Sequence, residues 1–320
     1  MEGMSRTDAF RVFCVLLCAT ITLSCAAKPG TETSLLRPPP QVNGSVRLVF
    51  DGTLGEAGTL SPGGMSFGPD GSIYVCELGR RTVLRLGETG GVLDRFGGME
   101  PRADRMFSPV DVAAGRGIDI FVLDGANSRV IRLDRNLRGA SPLSSPGGNG
   151  RGRFGTFAGI AEDPGTGDLY LTESTAGTVV RLDLTGNITQ VAGGFGSGKR
   201  SLRDPAGIEV DADGALYIAD RGLGAVAVST RFGADIRLIG KGVLESPVDA
   251  ALLPESRIAV ADRQGVLVLS REGVPEGLAG YGTDREMAPR SVAYRAGRLF
   301  IGDIRAHSIL VYRVETVSRR

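Results

Sequence analysis

Six acidic residues recur along this sequence, each at the end of a short apolar segment. They follow one another at intervals of 41 to 49 residues and are Glu77, Asp124, Glu173, Asp220, Asp262 and Asp303. A ring of carboxylates is suited to a hard cation such as calcium, an amine or a basic peptide. The same residues can cap turns by accepting hydrogen bonds from backbone N–H groups. Because the acid recurs in every repeat, whereas a binding site usually breaks symmetry, the pattern favours capping.

Few other residue types are available for catalysis. His307 is the single histidine, so neither a Ser-His-Asp arrangement nor a histidine-based metal site is predicted. The segment 193–199 is glycine-rich but lacks the spacing of a phosphate-binding loop. Cys76 lies in an apolar segment and is expected to pack as a small hydrophobic residue. The sequence therefore predicts no catalytic residue and no metal ligand.

The charge balance argues against a polyanionic partner. The chain of 320 residues has 37 Lys and Arg against 36 Asp and Glu, a net charge of +1. That balance lacks the basic footprint of a nucleic-acid-binding protein, so no nucleic acid is expected. Basic residues are locally dense in two glycine-rich connections, and we expect these to contribute to a site for an anionic or polar partner: Arg151, Arg153, Lys199, Arg200 and Arg203.

The acids punctuate a repeat of short strands. A proline stands 14 or 15 residues before five of them, and Ala158 occupies that place in the third repeat. Each repeat reads as a strand after the proline, a polar turn, a strand that ends in the acid, a third apolar strand and a weaker fourth. Four short antiparallel strands in about 45 residues are typical of a β-propeller blade. The sequence predicts an all-β, six-bladed propeller over residues 44–320. The last repeat lacks its fourth strand, which we expect residues 45–50 to supply.

The repeat resembles the NHL repeat, with its Pro-x-x-[IVM] start, its DG turn and its [IL]-[YF]-[VIL]-x-[DE] strand. The resemblance covers nearly all of the chain after residue 43 and implies a six-bladed propeller. Proteins of that class mostly bind proteins or RNA, or act as extracytoplasmic scaffolds. A second resemblance, to gluconolactonase-like propellers, implies a divalent ion in the channel held by a carboxylate and Asn ligands. Here only Asn127 lies in a turn between second and third strands.

The first residues read as an export signal. Val12 to Leu23 is uncharged, and 12 apolar residues are too few to span a bilayer as a helix. The following Ser24-Cys25 resembles a bacterial lipoprotein signal, which implies a signal peptide over 1–24 and lipidation of Cys25. Residues 25–43, with three consecutive prolines at 38–40, read as a tether. We expect an outer-membrane lipoprotein that faces the periplasm; a soluble periplasmic protein is the alternative.

These observations predict a lipid-anchored, non-enzymatic binding scaffold for a protein or small ligand. The alternative is a hydrolase that depends on a divalent metal. No cofactor is predicted, with a channel-bound calcium as the alternative, and a monomer is favoured. The lipid anchor is the only expected contact with the membrane.

Overall fold

Sheets of four antiparallel strands build the protein, and there are six of them among the described residues. The computed structural model describes residues 39–55, 58–98, 108–115, 117–144, 155–193, 201–229, 236–263, 265–280 and 286–317. The predicted signal peptide, Cys25 and most of the predicted tether lie outside these ranges. The described residues belong to one compact unit, Pro39–Arg320.

Each sheet is one blade, and its strands follow one another along the chain. In blades 1 to 3 the strands are β2 (Pro62–Phe67), β3 (Ile73–Glu77), β4 (Thr82–Leu86), β5 (Val92–Gly97); β6 (Pro109–Ala114), β7 (Asp119–Asp124), β8 (Arg129–Asp134), β9 (Ser141–Ser144); and β10 (Phe157–Glu162), β11 (Leu169–Glu173), β12 (Thr178–Leu182), β13 (Ile188–Gly193). In blades 4 to 6 they are β14 (Pro205–Val210), β15 (Leu216–Asp220), β16 (Ala225–Ser229), β17 (Ile236–Ile239); β18 (Asp249–Leu253), β19 (Arg257–Asp262), β20 (Gly265–Leu269), β21 (Pro275–Ala279); and β22 (Pro289–Arg295), β23 (Arg298–Asp303), β24 (Ser308–Thr316), β1 (Val46–Leu54).

Strand β1 closes the ring, which confirms the prediction from residues 45–50. It pairs antiparallel with β24 from Val46 opposite Thr316 to Leu54 opposite Ile309. Phe50 meets Tyr312 edge-on, with ring centroids 5.4 Å apart. The start of the propeller thus supplies the outer strand of the sheet that its end leaves one strand short.

Apolar packing between adjacent blades forms the core. Between blades 1 and 2, for example, Tyr74, Cys76 and Val83 pack against Val112 and Val122. Each of the other five interfaces has a cluster of the same kind. Because both faces of a blade are covered, its two central strands read as nearly continuous apolar runs.

The strand order fixes two faces. We call top the face that holds the turns between second and third strands and the connections between blades. We call bottom the face that holds the hairpins between first and second strands. The only helical turn among the described residues is Gly125–Asn127, in the top-face turn of blade 2. Within those residues no helix is long and apolar enough to cross a membrane.

One repeat differs from its expected alignment. Phe157, not Ala158, pairs with Glu173, as Pro62 pairs with Glu77 in blade 1. The hairpin after β10 is longer by one residue, which shifts the spacing between the inner strand and the acid. Phe157 therefore occupies the place that proline occupies in blades 1, 2, 4 and 6.

Candidate functional site

The six recurring acids, which we call the turn acids, end the second strand of each blade on the top face. All six are buried, with at most 1% of the residue exposed. They are Glu77, Asp124, Glu173, Asp220, Asp262 and Asp303. Each accepts a hydrogen bond from a backbone N–H of the connection that enters its blade; the donors are Ser61, Ser108, Gly155, Arg203 and Asp204, Glu245 and Ser246, and Ala288.

Glu173 shows how completely these oxygens are used. It accepts backbone hydrogen bonds from Gly155 at 3.1 Å, Thr175 at 2.9 Å and Ala176 at 2.7 Å. The hydroxyl of Thr178 donates to it at 3.3 Å. A cation at this position would have to displace the backbone N–H groups that donate to the carboxylate. The turn acids therefore hold each blade to the connection that enters it, and they do not form a ring of free carboxylates around the channel.

Asp124 differs because it forms an ion pair with an arginine as well. Asn127 donates through Nδ2 at 2.6 Å and Arg129 through Nε at 2.9 Å. Asn127, the one Asn in such a turn, is therefore used inside its own turn.

Other residues noted in the sequence lie apart from one another. Arg203 is exposed on the top face, while Arg151, Arg153, Lys199 and Arg200 lie outside the described residues. His307 is exposed in the top-face turn of blade 6, with a left-handed φ of 50°. Cys76 is fully buried, and burial raises the pKa of its thiol well above the usual value. A reactive thiolate is thereby disfavoured.

A second set of acids, which the sequence analysis missed, lies on the inner strands. Asp111 and Asp249 occupy equivalent positions in blades 2 and 5, each as the last residue of a Ser-Pro-Val-Asp segment. Since the blades are three apart in a ring of six, the two residues lie on opposite sides of the channel. We call Asp111, Asp249 and Glu209, on the inner strand of blade 4, the channel acids.

Asp111 and Asp249 make the same contacts. One oxygen of Asp111 accepts from the N–H of Val112 at 2.8 Å, and the other from Ile160 of blade 3 at 2.9 Å. Asp249 accepts from Ala250 and from Val292 of blade 6, both at 2.9 Å. Each aspartate thus ties its inner strand to that of the next blade.

Glycine in the preceding blade makes room for each aspartate. A Cβ on Gly64 would lie 1.8 Å from Oδ1 of Asp111, and one on Gly207 would lie 2.2 Å from Oδ1 of Asp249. Both distances are far below van der Waals contact. Any side chain at either glycine would therefore force the aspartate out of its place.

The remaining two interfaces use hydroxyls. Thr172 of blade 3 donates to the backbone oxygen of Ala206, and Ser291 of blade 6 donates to that of Gly63 at 2.6 Å. Both acceptors are first-strand residues of the next blade. The inner ring therefore repeats approximately after three blades.

Glu209 breaks that approximate symmetry. Its carboxyl group receives no hydrogen bond and no ion pair from the described part of the chain, and it faces a cavity. This cavity opens at the bottom face and has a volume of about 490 Å³. A smaller one of about 210 Å³ lies on the top side, and Asp111 and Asp249 line both. The two aspartates thus stand at the boundary between the two cavities.

Charges on the described walls of the bottom cavity are mostly negative. Four carboxylates contribute, from Asp111, Glu162, Glu209 and Asp249, against one guanidinium, from Arg295. The Arg295 side chain donates to the backbone oxygen of Gly68 at 2.6 Å and lies 5.5 Å from the ring centroid of Phe67. Its charge is thereby held against the blade 1 hairpin.

All three channel acids hold their protons more tightly than usual. Burial raises the pKa of Asp111 to about 7, against the opposing effect of its hydrogen bonds from Ile160 and Val112. Burial and the nearby charge of Asp111 raise the pKa of Glu209 to about 7. The same two causes raise the pKa of Asp249 well above its usual value. Negative charge in this space is costly unless a positive charge joins it.

The described residues contain no group of three or more His, Cys, Asp or Glu side chains close enough to hold a metal ion. The channel acids are therefore too far apart to share one ion directly.

A sequence signal for the channel acids existed. Asp111 and Glu209 are carboxylates inside otherwise apolar first strands, and the Ser-Pro-Val-Asp segment occurs twice. A charged side chain in a buried strand is costly, so its presence there indicates a partner or a role. The channel acids are single departures from the repeat, whereas the turn acids recur in every blade.

Arginines of the third strands pair within their own blades. Arg85 contacts Asp70 at 2.8 Å and Asp94 at 2.9 Å, and Arg181 contacts Asp168. The equivalent Arg132 is exposed.

This chain matches known proteins in structure but not in sequence. No protein-family model matches the sequence, and no curated protein matches it. A gluconolactonase from Xanthomonas campestris is similar in structure, with a TM-score of 0.64 and 16% identity over 87% of this chain and 97% of that one. An auxiliary nutrient binding protein from Bacteroides thetaiotaomicron gives 0.62 and 16%, over 84% and 76%.

A streptogramin B lyase is similar as well, with a TM-score of 0.59 and 14% identity over 86% of this chain and 88% of that one. A lactonase, a binding protein and a lyase thus share one architecture, and at such identities the likeness concerns the fold. The chain is a six-bladed β-propeller, and its structural neighbours include propeller proteins.

Proposed function

We propose that this protein is a non-enzymatic binding propeller, held on the cell envelope by a lipid on Cys25, and that its bottom cavity takes a small ligand. The observation that carries the proposal is the cavity itself. Ligand sites are commonly clefts of about 300–1,000 Å³ with a few converging polar groups. The bottom cavity has about 490 Å³ and three converging channel acids.

The residue types on the walls favour binding over catalysis. The described wall carries no His, Cys or Lys, and both aspartates hold two backbone N–H groups each. General acid–base or nucleophilic catalysis needs a group that is free to exchange a proton or attack. Glu209 alone is free in this sense.

Thermal unfolding of the intact protein in detergent, with neutral, anionic and cationic small molecules, tests the proposal. We expect one class to raise the midpoint saturably, because a ligand at about 100 times its Kd adds about 2.7 kcal/mol. Glu209→Arg, which reverses the charge and places a longer side chain in the cavity, should abolish the rise. No rise with any class, or the same rise in Glu209→Arg, would contradict a ligand site in the cavity.

The location of the protein needs its own test. The proposal places it in the outer membrane, on the periplasmic side, as a monomer; a soluble periplasmic protein is the alternative. Labelled fatty acid should appear on the wild-type chain and be absent from Cys25→Ala. Equal labelling of both chains, or none of either, would contradict the lipid anchor.

A metal-dependent hydrolase is the second candidate, supported by the structural likeness to a gluconolactonase and by the carboxylates at the channel. Lactone hydrolysis is measured with calcium, zinc or manganese and after EDTA. We expect no turnover above background. Hydrolysis that EDTA abolishes, and that Glu209→Gln loses, would replace the binding proposal.

The basic connections offer a further surface for a protein partner. Arg203 is exposed on the top face, and Arg151, Arg153, Lys199 and Arg200 belong to the same hypothesis. Lys199→Glu with Arg200→Glu should weaken capture of an anionic partner from the envelope. Binding in the bottom cavity should not change, since the cavity opens on the other face.

A further inference from the structure

We infer that the ligand of the bottom cavity is a small organic cation, an amine on an apolar body, whose charge lies among Asp111, Glu209 and Asp249. This inference rests on the proposed binding function and adds the ligand's chemical class.

The first reason for this inference is the unpartnered carboxyl group of Glu209. Its side chain is half-buried, faces the cavity and has no hydrogen bond or ion pair in the described part of the chain. A carboxylate that is partly removed from water and has no hydrogen bond from the protein is costly, and a positive charge that enters the cavity lowers this cost. The turn acids show that this protein can satisfy buried carboxylates with its own backbone, yet Glu209 is left unsatisfied.

The surroundings of Glu209 are the second reason. The other titratable and charged groups on the same described walls are Asp111, Glu162, Asp249, Tyr294 and Arg295. The negative charge of Asp111 raises the pKa values of Glu209 and Asp249, and that of Glu209 adds to the effect on Asp249. Arg295 is engaged with backbone oxygens of the blade 1 hairpin. A neutral or anionic ligand would leave the repulsion among the acids in place, whereas a cation relieves it.

The spacing of the acids favours an organic cation over a metal ion. Calcium takes six to eight oxygen ligands at about 2.3–2.6 Å, which requires several protein oxygens at one point. The described residues supply no such group. An ammonium group needs only one charge-assisted hydrogen bond to a carboxylate, and it can interact with the others at longer range.

The remaining wall is suited to an apolar body. Met65, Phe67, Leu252 and Tyr294 line the cavity together with backbone of the inner strands. An amine attached to a ring or short hydrocarbon chain would bury its apolar part there.

Benzylamine and benzyl alcohol form a matched pair of probes, equal in shape and different in charge. Calorimetric titration uses the intact protein in detergent at about pH 8, where the amine is protonated and the channel acids ionise most readily. We expect benzylamine to bind saturably and benzyl alcohol to bind about tenfold more weakly or not at all.

Two variants test whether benzylamine binds at Glu209. Glu209→Gln should weaken benzylamine about tenfold while Glu272→Gln, an exposed carboxylate in the third-to-fourth-strand turn of blade 5, leaves it unchanged. In buffers of different ionisation enthalpy at about pH 7, binding should release protons, since the cation favours the ionised acids. Benzylamine should raise the thermal midpoint of the wild type and raise that of Glu209→Gln less.

Contrary outcomes separate the two proposals. Equal binding of amine and alcohol, no saturable amine binding, or no effect of Glu209→Gln would overturn the cation inference. If a neutral or anionic molecule then binds and Glu209→Arg abolishes it, the proposed binding function stands. Saturable calcium binding that is lost in Glu209→Gln would overturn the inference in favour of a metal ion.

Discussion

The turn acids and the channel acids are both sets of enclosed carboxylates, and the protein treats them in opposite ways. The turn acids recur in all six blades and accept hydrogen bonds from backbone N–H groups of their own blade. The channel acids occur in three blades only, line the bottom cavity and have raised pKa values. The turn acids recur because every blade has a turn to cap. The channel acids depart from the repeat and therefore indicate a role that the other blades do not have.

Loss of a turn acid should have the largest effect on stability. Asp220→Ala removes the acceptor of three backbone N–H groups, those of Arg203, Asp204 and Leu223. Each buried donor without an acceptor costs about 1–3 kcal/mol, so we expect a loss of about 3–5 kcal/mol in the free energy of unfolding. Denaturant unfolding measures it, with Glu209→Gln as the control. A comparable loss in Glu209→Gln would erase the distinction between the two sets.

The pH dependence of stability should come from the channel acids. Glu209 has a usual pKa of 4.5 and a folded value of about 7, so between these values the folded chain keeps a proton that the unfolded chain releases. Raising the pH through this window therefore favours unfolding, by about 2–3 kcal/mol for one such group. Thermal midpoints should fall from about pH 5 to pH 8, and less so in Glu209→Gln. A midpoint that rises over that range, or the same fall in Glu209→Gln, would contradict this assignment.

A cation built into the chain should stabilise the channel. Glu209→Lys places an ammonium group near Asp111 and Asp249, where it replaces repulsion by attraction. At about pH 8 we expect it to be more stable than Glu209→Gln by about 1–2 kcal/mol, the burial of Lys limiting the gain. It should also abolish benzylamine binding. A Lys variant less stable than the Gln variant would argue against a site for positive charge.

The smallest expected effect is a difference in stability between variants of the two equivalent aspartates, Asp111 and Asp249. Asp111→Asn and Asp249→Asn each replace one acceptor oxygen by an NH₂ group beside a backbone N–H, at a cost of about 1 kcal/mol. The charges of Asp111 and Glu209 add to burial in raising the pKa of Asp249, whereas burial alone raises that of Asp111, so removal of the Asp249 charge offsets more of that cost at neutral pH. Unfolding in denaturant should therefore show Asp249→Asn as the milder variant, and the difference should shrink in acid.

Much of the fold was predictable because it is encoded locally. The spacing between inner strand, hairpin and acid repeats within about 45 residues, and each part of it contacts a neighbour in sequence or in the next blade. Closure by residues 45–50 was also predictable, because the sixth repeat lacks the fourth strand that the other five have and these residues form an apolar strand outside any repeat. The shift at Phe157 was not, since a hairpin longer by one residue alters the register without altering the apolar pattern.

The sequence by itself determined the propeller and the role that recurring carboxylates can take at its turns. Only the tertiary structure decided that Asp111, Glu209 and Asp249 face one cavity. These residues lie on inner strands of three different blades, and closure of the ring brings them to a common channel. Their raised pKa values likewise depend on burial and on one another's charge, both of which exist only after the ring has closed.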